Sequence, residues 1–337
     1  MITIKELARK LNLSTTTVSN VIHGKTHEVS ASTIERVEKA LAEYDYVPNI
    51  NARNLAQNKS KIIGLAMKAR ADKSSNLFKD PFISEVIGGI EKTVRAHDYF
   101  MMIYASNDVH ELLKQVSTWN VDGLLLFGLL GEDGVAVREK YKKPVVCIDI
   151  YNMICDPPVY SVGLEDEKGT YEAVRYLIEL GHRKIAFLSD DIIGVDEARF
   201  RGYKRALEHA GIAYEEKNFL KLNPWEEEVD QSLAEIGEKC HEFTAVFCTS
   251  DLYAVQLANK FHSCGIRVPE DISIIGFDDN MLSRYHIPGI TTVHQDMEKK
   301  GIIAAENLID LLKGEKVEKT TQLPTRLIIR DSVKDLR

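Results

Sequence analysis

Two groups of side chains in this sequence have the types and spacing to do chemistry. The first is a run of small polar residues, Ser14, Thr15, Thr16, Thr17, Ser19 and Asn20, with His23 just beyond it. On a helix they present hydroxyls and an amide where a surface helix usually carries Lys and Glu. Short polar side chains allow close approach and exchange hydrogen bonds with whatever is approached. The DNA major groove admits one helix and offers base edges and phosphates for such bonds. A small helical hairpin with a Thr-rich cap is the bland alternative, because short matches of this kind arise easily. The second group is acidic and hydroxylic. Asp149, Ser189, Ser250 with Asp251, and Asp278 with Asp279 each close a short apolar run.

The elements that must position the first group are short helices. Ile4, Leu7, Ala8 and Leu11 recur at helical spacing, as do Val18, Val21 and Ile22. Thr3 with Glu6 reads as a capping box, and Ser14 as the N-cap of the second helix. Ser32 with Glu35 reads as another capping box, opening a third helix along Ile34, Val37, Leu41 and Tyr44. These make a three-helix head over residues 1–47. His23 and His27 stand four apart, but Gly24 breaks any helix between them, so they read as a DNA-facing or solvated loop and not as a metal pair. Residues 48–61, VPNINARNLAQNKSK read from Val47, start with a helix-stopping Pro48 and give Leu55 little to bury against. Such a segment is either a linker or a helix that forms only when held between a partner and DNA.

From Ile62 the pattern changes. IIGLAM, FMMIYA, VDGLLLFG, PVVCIDI, KIAFLSD, TAVFCTSD and ISIIGFDD alternate with helical patterns over residues 82–97, 109–120, 170–180, 201–210, 229–239 and 252–263. Buried strands alternating with helices predict parallel sheets covered on both faces, and the number of strands suits two of them. Ligands in such folds bind beyond the carboxyl ends of the strands. Those ends carry the second polar group, which predicts a cleft between two lobes.

The 337 residues suffice for two or three domains, and net charge is −8. Residues 1–61 carry 9 Lys and Arg against 6 Asp and Glu, while the remainder carries 34 against 45. A slightly basic head on an acidic body fits nucleic-acid contact by the head alone. No apolar run has membrane-spanning length and the N-terminus has no signal core, so a cytoplasmic protein without membrane contact is expected. Cys147, Cys155, Cys240, Cys248 and Cys264 form no CxxC pair and read as reduced core thiols. GxSxG, P-loop, HExxH and GxGxxG motifs are all missing, so neither an enzyme nor a metal or cofactor site is expected.

The chain resembles the LacI/GalR family of bacterial transcription regulators over nearly its whole length. The head carries the resemblance in TIKELARKLNLSTTTVSNVI and the following segment in YVPNINARNLA. The body carries it in VDGLLLF, YLIELGHRKIAF, RFRGYKRAL, TAVFCTSDLYA, RVPEDISIIGFDD and IPGITTVHQ. The resemblance implies an α/β protein with a helix-turn-helix head over 1–47, a hinge helix over 48–61, and a periplasmic-binding-protein-like core over 62–337. One doubly wound lobe would hold about 62–162 and 291–322, the other about 163–290 and 323–337.

By the same resemblance, Thr15, Thr16 and Asn20 match base-contacting positions. Ser14, Thr17, Ser19 and His23 match positions nearer the phosphates, and Leu55 matches a leucine that wedges into the minor groove. Asn at position 20 pairs naturally with adenine. Arg199 and Asp278 match a charged pair that holds ligand hydroxyls, and Phe82 and Trp225 match aromatic neighbours of the ligand, with Asp149 and Asp251 as further candidates. The implied function is a homodimeric repressor on an inverted-repeat operator in double-stranded DNA, controlled by a small-molecule effector of the sugar class. A solute-binding protein is the competing binding module; an enzyme using the strand-end carboxylates is the competing catalyst.

Overall fold

The computed structural model describes residues 2–22, 24–46, 59–68, 77–129, 131–150, 159–223 and 228–337. His23, Cys155, Trp225, Leu55 and nearly all of the expected hinge helix lie outside the described residues. The chain divides into two compact units, Met1–Ser60 and Lys61–Arg337.

The first unit is built on helices α1 (Ile4–Leu11), α2 (Thr15–Ile22) and α3 (Ala31–Glu43). Thr3 N donates to the Glu6 carboxylate at 2.8 Å while Glu6 N donates to Thr3 Oγ1 at 3.3 Å, so the capping box is formed from both sides. Asn12, in the left-handed region at φ 52°, ends α1, and Ser14 Oγ accepts Thr17 N at 2.9 Å to start α2. The third helix starts earlier than expected. Ser30, not Ser32, is its N-cap, accepting Thr33 N at 3.3 Å. Ser30 already has the extended backbone a cap needs, so the orphan amides are satisfied before Ser32 is reached. Leu7, Ala8, Val18, Val21, Val37 and Ala40 form the core. Burying each larger aliphatic there stabilises the head by about 1.5–3 kcal/mol.

The second unit contains two six-stranded sheets. The first is made by β1 (Ile62–Lys68), β2 (Phe100–Ser106), β3 (Gly123–Phe127), β4 (Val145–Ile148), β5 (Tyr160–Leu164) and β11 (Thr320–Leu323), ordered β11-β5-β4-β3-β1-β2 and parallel throughout. The second is made by β6 (Ile185–Ser189), β7 (Phe219–Lys221), β8 (Ala245–Cys248), β9 (Ser273–Asp278), β10 (Thr291–His294) and β12 (Arg326–Ile328), ordered β12-β10-β9-β8-β6-β7. Only the β10–β12 pair is antiparallel.

Helices cover both faces of each sheet. On the first sheet, α4 (Pro81–Ala96) and α12 (Met297–Lys313) pack on one face, and α5 (Val109–Thr118) and α6 (Gly131–Lys140) on the other. On the second, α7 (Asp166–Glu179) and α8 (Val195–His209) oppose α9 (Val229–Glu238) and α10 (Asp251–Ser263), with the short α11 (Met281–Tyr285) following β9. α4 and α12 approach closely enough that a Cβ on Gly89 would meet the Glu298 carbonyl and one on Gly301 the Val86 carbonyl. Those two glycines set the spacing between the helix carrying Phe82 and the helix carrying Lys300.

The chain passes between lobes after β5, after β10 and after β11. The second passage falls later than expected. The family resemblance places residues 291–294 in the first lobe, but they pair in register with β9 residues Ile275 to Asp278 and so belong to the second sheet. β5 likewise extends to Leu164, past the expected boundary at 162. The thiols also depart in part from expectation: Cys147 and Cys248 are buried, but Cys240 is half-buried and Cys264 exposed. Among the described residues no helix is long and apolar enough to cross a membrane.

Candidate functional site

The head presents its polar run on α2. Val18 and Val21 face the core, which turns Ser14, Thr15 and Thr16 outward as exposed residues and leaves Thr17, Ser19 and Asn20 half-buried. Ser14 Oγ and Thr17 Oγ1 lie 2.8 Å apart, so these two hydroxyls serve the helix cap first. Thr15 and Thr16 are the open pair. The helix carries no charged side chain.

The strand ends of the second unit carry a connected polar network. Asp149, directly after β4, takes a left-handed φ of 55°, and its two carboxylate oxygens accept Lys300 Nζ at 2.9 and 2.7 Å. Lys300 is 0 % exposed. Its Nζ also donates to Gln295 Oε1 at 2.8 Å, and Gln295 Nε2 in turn donates to Asp278 Oδ1 at 2.5 Å. The Phe82 ring lies 5.0 Å from Lys300 Nζ and edge-on to Phe127. Phe82 is held by the N-cap Asp80, which accepts its backbone N–H at 2.9 Å.

Arg199 sits on the second lobe's side of this network. Its Nε donates to Asp166 Oδ1 at 2.8 Å and its Nη1 to the Thr249 carbonyl at 2.6 Å, while the guanidinium lies 3.7 Å from the Phe277 ring centroid. Its direct ion-pair partner is therefore Asp166, not Asp278. Nη2 makes no hydrogen bond with the described residues, and neither does Asp278 Oδ2. Burial alone would lower the Arg199 pKa, but Asp166, Asp196 and Asp278 more than offset it and hold the group cationic. Asp278 is pushed well up, first by burial and then by the charge of Asp251. Its backbone, at φ 124°, is in a region L-residues rarely occupy, and such strain persists only where surrounding structure imposes it.

Asp251 departs from the position its place beyond β8 predicts. It was expected to face the ligand, but it is 0 % exposed and both oxygens are engaged within the second lobe. Oδ2 accepts Asn280 N at 2.9 Å and Oδ1 accepts the Thr292 hydroxyl at 2.5 Å. It braces the β9–α11 turn from below, and burial raises its pKa to about 6. Asp279 turns away as well: burial would raise its pKa, but Arg330, Arg284 and His294 hold the carboxyl below the usual range. Ser250 caps α10, accepting Tyr253 N at 3.2 Å, and Ser189 accepts the Thr249 hydroxyl at 3.1 Å. Asp190, Asp191 and Asp196 bring carboxylate oxygens within 4.8 Å of one another at the rim, with Arg199 Nη1 3.6 Å from Asp196.

The network thus joins Phe82, Asp149, Arg199 and Asp278 and adds Asp166, Gln295 and Lys300, which no sequence pattern marks. Asp166 and Gln295 directly follow two of the crossings between lobes. Chemically, the arrangement offers fixed donors and acceptors beside an aromatic ring, with no nucleophile–base pair among the described residues, and such groups can hydrogen-bond a polar ligand.

Comparison with known proteins gives the following. Residues 3–49 match the model of bacterial regulatory proteins, lacI family, and residues 174–333 match a periplasmic binding protein-like domain. The chain is 33 % identical over 347 residues to the HTH-type transcriptional repressor PurR of Vibrio vulnificus, covering 100 % of both. It is 29 % identical over 343 residues to the probable HTH-type transcriptional repressor ExuR of Bacillus subtilis, covering 100 % of this chain and 99 % of that one. Among solved structures it is similar to the Lac repressor dimer bound to operator and the anti-inducer ONPF, with a TM-score of 0.85, 26 % identity and 98 % coverage of both chains. It is also similar to a transcriptional regulator CelR–cellobiose complex, with a TM-score of 0.73, 26 % identity and coverage of 98 % and 100 %.

Proposed function

Because the chain belongs to the lacI family of bacterial regulatory proteins, and is a DNA-binding transcriptional repressor and not an enzyme, we propose that a sugar-class effector in the interlobe cleft sets its affinity for an inverted-repeat operator. The observation that carries this reading is the pair of uncommitted groups, Arg199 Nη2 and Asp278 Oδ2, held in place by the bonds their other atoms make. A fixed guanidinium donor beside a fixed carboxyl oxygen suits vicinal hydroxyls. Phe82 supplies an apolar face for a sugar ring, and Asp149 a further acceptor. Trp225 is proposed as the second aromatic neighbour.

On the DNA side, Thr15, Thr16 and Asn20 read base edges, and Ser14, Thr17, Ser19 and His23 contact phosphates. Leu55 wedges into the minor groove at the operator centre, where unstacking costs roughly a few kcal/mol that the bend offsets through added contacts. Coupling runs through the crossings. Asp166 and Gln295 are tied to Arg199, Lys300 and Asp278, so a ligand that changes those bonds changes the angle between lobes. Two copies would place two heads on the two half-sites. Met281, Tyr285 and Ile287 support a homodimer: they are 54, 80 and 92 % exposed on one short stretch of the second lobe. The proposed compartment is the cytoplasm.

The test is a thermal-shift screen of the full chain against neutral sugars and, separately, purine bases. Ligand at 100 times its Kd stabilises the folded state by about 2.7 kcal/mol. A raised Tm with a sugar supports the reading; a raised Tm with guanine or hypoxanthine alone overturns it.

A further inference from the structure

Resting on that sugar reading, we propose that Lys300 is the positioning residue that selects ligand charge: the cleft takes a neutral polyhydroxylated sugar and turns away phosphorylated or carboxylated relatives. A lysine ammonium has three protons to donate. Here the contacts at 2.9 and 2.7 Å to Asp149 and at 2.8 Å to Gln295 use all of them. The side chain is 0 % exposed, so no face of the ammonium is left for an anionic ligand oxygen. An incoming phosphate or carboxylate would have to displace Asp149 from a buried ion pair, stranding one buried carboxylate to satisfy another.

Arg199 does not relieve this. Its charge is matched by Asp166 at 2.8 Å and its guanidinium lies over the Phe277 ring. Lys300 is matched by Asp149 and Arg199 by Asp166, with the Asp196 carboxylate a further 3.6 Å from Arg199 Nη1, so neither cation of the network is left unmatched for an incoming anion. Hydroxyls face no such penalty. Each carboxylate oxygen of Asp149 keeps lone pairs for a ligand O–H while Lys300 fixes its position. Lys300 also fixes Asp278 at one remove. By holding Gln295 Oε1 it forces the amide N–H₂ toward Asp278 Oδ1, which leaves Oδ2 to the ligand.

The experiment is calorimetric titration of the full-length protein with matched pairs: D-glucose against glucose 6-phosphate and D-glucuronate, and D-ribose against ribose 5-phosphate. The wild type should bind a neutral member at least about tenfold more tightly than its charged relative. Asp149→Asn frees the Lys300 ammonium, and the charged-to-neutral affinity ratio should rise by about tenfold or more. Asp149→Ala, which removes the same charge with a different shape, should move the ratio the same way, whereas the double variant Asp149→Asn, Lys300→Met, which has no ammonium to free, should not; an equal rise in the double variant would assign the effect to loss of the Asp149 charge alone and overturn the role of Lys300. Tighter wild-type binding of a phosphorylated or acidic sugar, or an unchanged ratio in both single variants, overturns the charge selection while leaving a sugar effector standing. Binding of guanine or hypoxanthine with no sugar bound would remove the sugar reading and this inference with it.

Discussion

Replacing Arg199 with Ala should test the centre of the cleft in two ways at once. Arg199 is 6 % exposed and Asp166 2 % exposed, and they are joined by a 2.8 Å ion pair. Removing the cation leaves a buried carboxylate without its main counter-charge, which typically costs about 3–5 kcal/mol. For a unit the size of Lys61–Arg337, a melting entropy of about 2.1 cal/mol/K per residue amounts to about 0.6 kcal/mol/K. The expected fall in Tm is therefore about 5–9 °C, read by calorimetry on the full chain. Asp166→Asn should cost less, because it leaves a cation that can still use the Thr249 carbonyl. The double variant Arg199→Met, Asp166→Leu should recover much of the loss, since both charges leave together. In the ligand assay Arg199→Ala should abolish the effector response and leave ligand-free DNA binding in place, because Arg199 lies outside the compact unit that carries α2. A Tm within about 1 °C of wild type, or a double variant no better than the single, would refute the buried-pair argument.

Other predictions follow from single contacts. Gly301→Ala should push α12 from α4, costing about 1–3 kcal/mol and weakening ligand binding; a variant with unchanged Tm would show that the helices can yield. Thr3→Ala removes the capping box and should lower head stability by about 1 kcal/mol, read by hydrogen exchange in α1. Changing Asn20 should alter preference at one base position per half-site, measured by selecting bound duplexes from a random pool; an identical consensus would remove it as a reader. Asp251 holds its proton to about pH 6 in the folded state against about 3.9 in an unfolded chain, so its contribution to stability grows as pH falls through that window. Wild type minus Asp251→Asn should show that slope with His182 cancelled, since burial lowers the His182 pKa and acts in the opposite direction. A flat difference between pH 7 and 4 would contradict it.

Much of the fold was legible because it rests on local patterns. The capping box from Thr3 to Glu6 is a four-residue signature, and the strands end where apolar runs meet Gly, Asp or Ser. Several short elements were not. β7, β10 and β11 have three or four residues each, too few for a period, and β10 carries Thr291, Thr292 and His294, which read as loop. α6 has no apolar stripe to find. In the site, the carboxylates at strand ends were visible by position, as were Arg199 and Phe82 by family resemblance. Lys300 was hidden because a lysine in a helix ordinarily means a solvated face, and only the tertiary approach of Asp149, far away in sequence, buries it. Asp251 misled for the converse reason: its place beyond β8 is the right one for a ligand contact, but Thr292 from β10 and Asn280 after β9 claim its oxygens, and neither pairing is visible in one strand's pattern.

The most direct test is the operator affinity of the full-length protein, measured by fluorescence anisotropy at one fixed salt concentration, with and without a saturating neutral sugar that raises its Tm. The duplex should be an inverted repeat selected from a random pool. The dissociation constant should change by about tenfold or more when the sugar is bound, and the change should vanish in Arg199→Ala. An identical constant with and without the bound sugar, or no preference for any duplex sequence, would contradict the account.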